Sequence, residues 1–209
     1  MVECAVPQVK LCNYEDYECP MVSAIGMGTL HIGNAVNGIT DATAVNNWIR
    51  TAVGEGITFF DLASIYPVPP FGTPGSTNKL MGDALALTPT LRSQIQLCYK
   101  FGTAGTGPLV DNQAAHIKYA VDIALGQLRT SYLDILMFHF PDSFADPTEI
   151  ALALYELQAS GLVKHFGVSN FYPHQMETLA SALRLSKPKK SPLIRLVIIP
   201  PFIFCLRTR

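Results

Sequence analysis

The stretch QAAHIKYAVDIALGQLRTSYLDILMFH, residues 113–139, holds one full turn of the pattern that decides the fold. Ile117, Val121, Ala124, Leu125 and Leu128 recur at three- and four-residue steps, which puts them along one face of a helix predicted over 113–128. A short link follows, and residues 133–138 then read as a buried strand that ends on a histidine, His139. Helix, strand and a polar residue at the strand's end form the unit from which parallel sheets are wound.

The same unit repeats in both directions. Toward the N-terminus, residues 22–30 read as a first strand. A helix follows it, capped by Thr40 or Asp41, with Ala42, Val45, Ile49, Ala52 and Val53 inward, and stopped by Gly54 and Gly56. A strand at 57–60, a helix at 78–87 and a strand at 95–99 come next. Toward the C-terminus, Asp146-Pro147 supplies a cap and a first-turn proline for a helix that closes at Gly161. A strand over 164–168, a helix over 173–185 with Met176, Leu179, Ala180 and Leu183 inward, and a sixth strand over 193–199 complete the series.

Right-handed crossovers of this kind build either an open doubly wound sheet or a closed barrel, and periodicity does not separate the two. The polar residues do. A barrel collects its chemistry at the C-terminal ends of several strands, and Asp61, Lys100, His139, and Ser169 with Asn170 fall at successive strand ends. Each alone has an ordinary reading: Asp61 as a helix cap, Tyr66 as a loop aromatic, Ser169-Asn170 as a turn before a helix. Lys100 is harder to dismiss, because lysine is rarely buried without a partner. His31, His116, His165 and His174 lack such a setting and read as surface or satisfied histidines.

The 209 residues, 49% of them hydrophobic, suffice for one large domain with its own core. A formal charge of −1 provides no broad basic field, so neither nucleic acid nor an anionic membrane is an expected partner. Cys4, Cys12, Cys19, Cys98 and Cys205 are odd in number and include no CxxC pair, which argues against a disulfide framework and against structural zinc. The start of the chain does not read as a secretory signal. The apolar stretch 193–206 is broken by Arg195 and Pro200-Pro201 and falls short of the ~20 residues needed to span a bilayer. A cytoplasmic location is the expectation.

Four segments, in order, resemble the aldo-keto reductase family: Phe59-Phe60-Asp61-Leu62-Ala63-Ser64-Ile65-Tyr66, Tyr99-Lys100, His139-Phe140-Pro141-Asp142 and Gly167-Val168-Ser169-Asn170-Phe171. The links at 126–135 and 160–167 are similar to the family's as well, and the likeness runs over roughly residues 22–185 of a single domain. The resemblance implies a (β/α)₈ TIM barrel and the transfer of hydride from NADPH to an aldehyde or ketone. By the same resemblance the catalytic residues are Asp61, Tyr66, Lys100 and His139. Gly28, Thr29, Asp61, Ser169 and Asn170 would lie at the cofactor, with Ser169 and Asn170 on the nicotinamide carboxamide, and no metal is expected.

These residue types suit carbonyl reduction. The alkoxide that forms must be protonated near neutral pH, and a phenol can supply the proton if a neighbouring ammonium lowers its pKa from about 10. Lys100 would be that ammonium, Asp61 would hold it charged, and His139 would orient the carbonyl oxygen.

Two segments depart from the family's pattern. A proline-rich loop at 67–75 replaces a shorter link, with Asn78 near the position of a usual glutamate, and residues 200–209 resemble neither the next strand nor a helix. A (β/α)₈ domain typically takes ~250 residues, so the expectation is an incomplete barrel of five to six βα units, truncated, with a weakened grip on NADPH. The rival reading is a non-catalytic interaction protein on a reductase scaffold. A metal-dependent hydrolase on the same barrel ranks lower, for want of ligands at metal spacing.

Overall fold

A computed structural model describes residues 6–34, 39–103 and 109–198. The expected aberrant tail at 200–209 lies outside the described residues, as do Cys4 and Cys205.

The first described elements are two short strands, β1 (Gln8–Lys10) and β2 (Met21–Ser23), paired antiparallel with Val9 opposite Val22. Then β3 (Gly26–Gly28), β4 (Phe59–Ala63), β5 (Gln96–Phe101), β6 (Leu133–Phe138), β7 (Val163–Val168) and β8 (Leu196–Ile198) form one sheet, every neighbouring pair parallel. Between them run α1 (Ala42–Gly54), α2 (Ser76–Leu87), α3 (Ala114–Leu128), α4 (Pro147–Ala159) and α5 (Pro173–Leu185), with a 3-10 turn at Pro89–Gln94. Strand order follows chain order without a reversal. A doubly wound sheet reverses its order part-way to cover both faces, whereas a barrel never does. Among the described residues the sheet is accordingly the curved wall of a partial (β/α)₈ barrel, with six of its strands.

The two faces of the wall carry separate cores because successive side chains on a strand point oppositely. Phe60, Leu97, Tyr99, Leu136, Phe138 and Phe166 pack outward against the helices. Phe59, Cys98, Ile135, Met137 and Val197 point inward, and Val9, Leu11 and Cys12 of the hairpin region pack against them from below. Asp61 and Lys100 follow the inward residues Phe59 and Cys98 by two, so both project into the interior.

Local chemistry explains the helix starts. Of the two predicted caps for α1 it is Asp41 that accepts the N–H of Ala44, at 2.9 Å. Asp146 accepts from Thr148 at 2.8 Å with Pro147 at the first helical position, and Gly161, at φ +72°, ends the segment as predicted.

Three expectations need correction. The run at 22–30 is not one strand: the Ser23 hydroxyl donates to Ile25 O and accepts the N–H groups of Thr58 and Phe59, which breaks the run into β2 and β3. Strands β4 and β5 extend past their predicted ends, so Asp61 and Lys100 stand within strands rather than beyond them. A charged residue ends an apolar run on paper, but here the two charges neutralise each other across neighbouring strands. Finally, Cys12 and Cys19 form a disulfide, although the cysteine pattern argued against one. An odd count without CxxC is blind to two cysteines that the β1–β2 hairpin brings face to face.

Candidate functional site

The residues just past the strands are placed by continuing the sheet's own hydrogen bonding. Thr29 N donates to Asp61 O, Ser64 N to Lys100 O, His139 N to Phe101 O and Ser169 N to Phe138 O, at 2.8 to 3.1 Å. Each post-strand residue is therefore fixed almost as firmly as a strand residue, and the C-terminal rim is a row of preset side chains.

Lys100 lies diagonally across from Asp61, since its own partner in the register is Ala63. Its Nζ is 2.5 Å from both carboxylate oxygens, and both residues are buried. Burial, the largest single influence, pulls the ammonium toward losing its proton, but the Asp61 carboxylate together with Tyr66 and Cys98 lifts the Lys100 pKa above its ordinary value.

Tyr66 is carried by the loop after β4. Its N–H donates to Ala63 O, and its carbonyl accepts from Gly75 N at 2.9 Å, where the proline-rich loop returns. Asn78 closes the arrangement by donating its Nδ2 to Ala63 O at 3.0 Å. The Lys100 ammonium stands 5.2 Å from the Tyr66 ring centroid, and the Tyr66 and His139 rings meet edge to face at 6.5 Å. The structure thus brings Asp61, Tyr66, Lys100 and His139 together at one end of the sheet.

The electrostatics differ from the sequence expectation at Tyr66. Burial raises its phenol, the Asp61 carboxylate adds to that, and Lys100 pulls downward without reversing the shift. The ammonium is held by both Asp61 oxygens, so at Tyr66 the pair acts almost as a neutral unit and burial dominates. His139 is pushed down to about 4, by burial first and by Lys100 second, and it is neutral at pH 7. Its Nδ1 is buried with no hydrogen-bond partner among the described residues.

Of the remaining predicted residues, Asn170 takes a left-handed backbone at φ +59°, a conformation that asparagine tolerates better than most side chains. Its Nδ2 donates to His139 O at 2.7 Å and to Ser169 Oγ at 3.1 Å. Gly28 ends β3 with open space where a side chain would stand. Thr29 is fully buried, and its hydroxyl, like its N–H, is given to Asp61 O. It therefore props the Asp61 backbone.

Sequence reasoning passed over Asn112. It is buried, donates its Nδ2 to Phe140 O at 2.9 Å and its N–H to Asp142 Oδ2 at 3.0 Å, and so braces the segment that starts at His139. Nothing local singles it out, since its partners lie some thirty residues on. A recess of about 300 Å³, lined by Asn112, Phe138, Asp142, Phe171, Gln175 and Leu179 among others, opens between α4 and α5. Phe138 points outward, so this recess lies on the helix side of the wall, apart from the Asp61–Lys100 pair.

A sequence model of the Aldo/keto reductase family matches residues 24–199. The chain belongs to the aldo-keto reductase family. It is 40% identical over 144 residues to the uncharacterized oxidoreductase YcsN of Bacillus subtilis, covering 65% of this chain and 46% of that protein. It is 34% identical over 176 residues to a 6-dehydroglucose reductase of Novosphingobium aromaticivorans, covering 82% and 57%. Among solved structures, a glycerol dehydrogenase from Gluconobacter oxydans superposes with a TM-score of 0.64 at 25% identity, over 87% of this chain and 53% of that one. An aldo-keto reductase from Bacillus halodurans, in its holo form, shares the fold with a TM-score of 0.67 at 24% identity, over 85% and 54%. The chain spans about half the length of the curated relatives it matches.

Gly167 of the fourth motif has a packing reason. A Cβ there would stand 2.7 Å from Val197 O, so β8 packs against β7 only because the side chain is absent. Among the described residues, no helix is long and apolar enough to cross a membrane, and no three His, Cys, Asp or Glu side chains converge as metal ligands do.

Proposed function

We propose that the protein reduces an aldehyde or ketone with NADPH, with Tyr66 as the proton donor. One observation carries this reading: a half-buried phenol, a charge-locked Lys100–Asp61 pair and a neutral imidazole meet at the C-terminal rim of an aldo-keto reductase sheet.

The rim's donors suit a nicotinamide. Ser169 Oγ accepts from Asn170 and keeps its own O–H to donate, while Asn170 Oδ1 remains an acceptor. A primary carboxamide presents the matching pair, a carbonyl oxygen and an N–H₂. Gly28 leaves room for a ring to approach β3. When bound, NADPH supplies the hydride that reduces the carbonyl carbon.

The chain's own residues handle the proton. Tyr66 is a phenol at neutral pH, raised by burial, and it holds its proton until negative charge appears on the carbonyl oxygen. An alkoxide is far more basic than a phenolate, so the transfer runs downhill despite the raised phenol. Lys100 then stabilises the phenolate left behind, and Asp61 keeps Lys100 in place. A neutral His139 whose buried Nδ1 has no partner among the described residues best carries its proton on Nε2, because an unpaired N–H donor is the costlier orphan, and Nε2–H is the group that would meet the carbonyl oxygen.

A cytoplasmic site of action belongs to the same reading, and there the Cys12–Cys19 pair would tend toward its dithiol form. The test is to follow NADPH consumption with a panel of aldehydes and ketones, alongside NADPH binding by calorimetry. Carbonyl-dependent oxidation that disappears in Tyr66→Phe while binding persists is the expected result. Equal rates in both proteins, or saturable NADPH binding with no turnover of any carbonyl, would reject the proposal.

A further inference from the structure

The hairpin lies at the opposite end of the wall from the candidate site. Its connecting loop, residues 13–18, is bracketed by the Cys12–Cys19 disulfide, whose Cα atoms are 5.5 Å apart. That loop is docked on the two last strands. Tyr17 Oη lies 2.7 Å from Nδ1 of His165 in β7. Asp16 Oδ2 accepts from Arg195, just before β8, at 2.6 Å, and the same guanidinium stands 5.0 Å from the Tyr14 ring. Tyr14 and Tyr17 meet edge to face at 6.4 Å.

Each of these contacts is weak by itself. Asp16 is more than half exposed, and an exposed ion pair or cation–π contact gains little over water. Fixing residues 13–18 costs conformational entropy that such contacts barely offset. A covalent closure removes much of that cost in advance, because the closed loop has few states left to lose. Docking therefore depends on the bridge.

We infer that Cys12–Cys19 is a redox-controlled clamp: oxidised, it holds the loop against β7 and β8, and reduced, it releases the loop from His165 and Arg195. The reductant is a dithiol. Its thiolate attacks one bridge sulfur, the S–S bond breaks, and the mixed disulfide is resolved by the reductant's second thiol. Two electrons and two protons pass to Cys12 and Cys19, and the reductant leaves as a disulfide. Cys12 is partly exposed while Cys19 is buried, so Cys12 Sγ is the sulfur open to attack. Cys98, the other described cysteine, is fully buried, and burial pushes its thiol well up, which keeps it out of the exchange. The clamp grips β7 at one end, and the same strand delivers Ser169 and Asn170 at the other. The inference stands independently of the proposed reductase activity.

Hydrogen exchange of the whole chain, purified in air and compared with and without dithiothreitol, tests it. Reduction is expected to speed exchange about tenfold or more over 11–19, 163–165 and 194–197, to leave α2 and α3 unchanged, and to lower the unfolding midpoint by about 5 °C. Reoxidation should restore protection. Cys12→Ser with Cys19→Ser should match the reduced chain and ignore dithiothreitol. If that variant fails to fold, reduction and reoxidation of the native chain decide alone. Labelling of both cysteines before any reduction, unchanged exchange after reduction, or an equal response in the serine variant would each overturn the clamp.

Discussion

Two buried aspartates sit at opposite ends of the same wall, each beside a basic side chain and a tyrosine, and they are finished differently. At the N-terminal end, Asp134 accepts from Arg92 Nη2 at 2.7 Å, Lys164 Nζ at 3.0 Å and Leu97 N at 3.1 Å. The Tyr132 ring lies against the same two cations, 3.9 Å from the Arg92 guanidinium and 4.0 Å from the Lys164 ammonium. At the C-terminal end, Asp61 has one cation, Lys100, and the neighbouring His139 Nδ1 has no partner among the described residues. The Asp134 cluster saturates its polar groups. The other end leaves an imidazole under-satisfied and a phenol displaced from its ordinary pKa. Saturation is what stability favours, whereas displaced pKa values and spare hydrogen-bonding capacity are what a reacting ligand can use. The residue kit is nearly the same, so completeness of hydrogen bonding, rather than composition, separates the Asp134 cluster from the candidate site.

That contrast breaks most visibly at Tyr66. Tyr66→Phe is expected to lower kcat by about 10²–10⁴-fold with NADPH affinity and thermal midpoint nearly unchanged, because it removes a proton donor and little packing. A large fall in the midpoint instead would make the two ends alike.

Asp134→Ala is expected to do the reverse, costing about 3–5 kcal/mol in denaturant unfolding because Arg92, one-eighth exposed, loses its charge partner. Carbonyl turnover in the fraction that stays folded should hold. A neutral outcome would show that the floor network is ornamental.

His139 sharpens the comparison through pH. Its pKa falls from 6.5 to about 4 on folding, so the unfolded chain binds more protons between these values. Its contribution to stability is complete above pH 6.5 and is lost as pH drops through about 4. Urea titrations over that window should show stability falling with acid, and the slope should flatten in His139→Gln. An unaltered slope in the variant would assign the titration elsewhere.

The smallest effect is expected at Tyr132. Replacing it by leucine keeps apolar bulk but removes the π-face shared by Arg92 and Lys164, at a cost of about 1 kcal/mol. A double-mutant cycle with Lys164→Met measures the coupling directly, and zero coupling would reduce the cation–π contact to packing.

Strand β6 and helix α5 were legible to the residue, because one is an apolar run between clear stops and the other carries a proline at its first turn and a regular inward face. The extra reach of β4 and β5 was not, since Asp61 and Lys100 look like strand breakers until their partner across the sheet is known. The β1–β2 hairpin was missed as well. Its strands are three residues long, too short to show a period, and their pairing is set by the core they close from below.

What the sequence determined by itself was the set of chemical groups, their order along the chain and the repeating unit that brings them to successive strand ends. These follow from periodicity and capping, which act within about four residues. What only the tertiary structure decided was how each group is satisfied: Thr29 spent on the Asp61 backbone, Lys100 locked by two oxygens, Tyr66 shifted upward instead of down, Cys12 joined to Cys19. Desolvation and hydrogen-bond satisfaction depend on atoms brought close from elsewhere in the chain, and no local pattern encodes them.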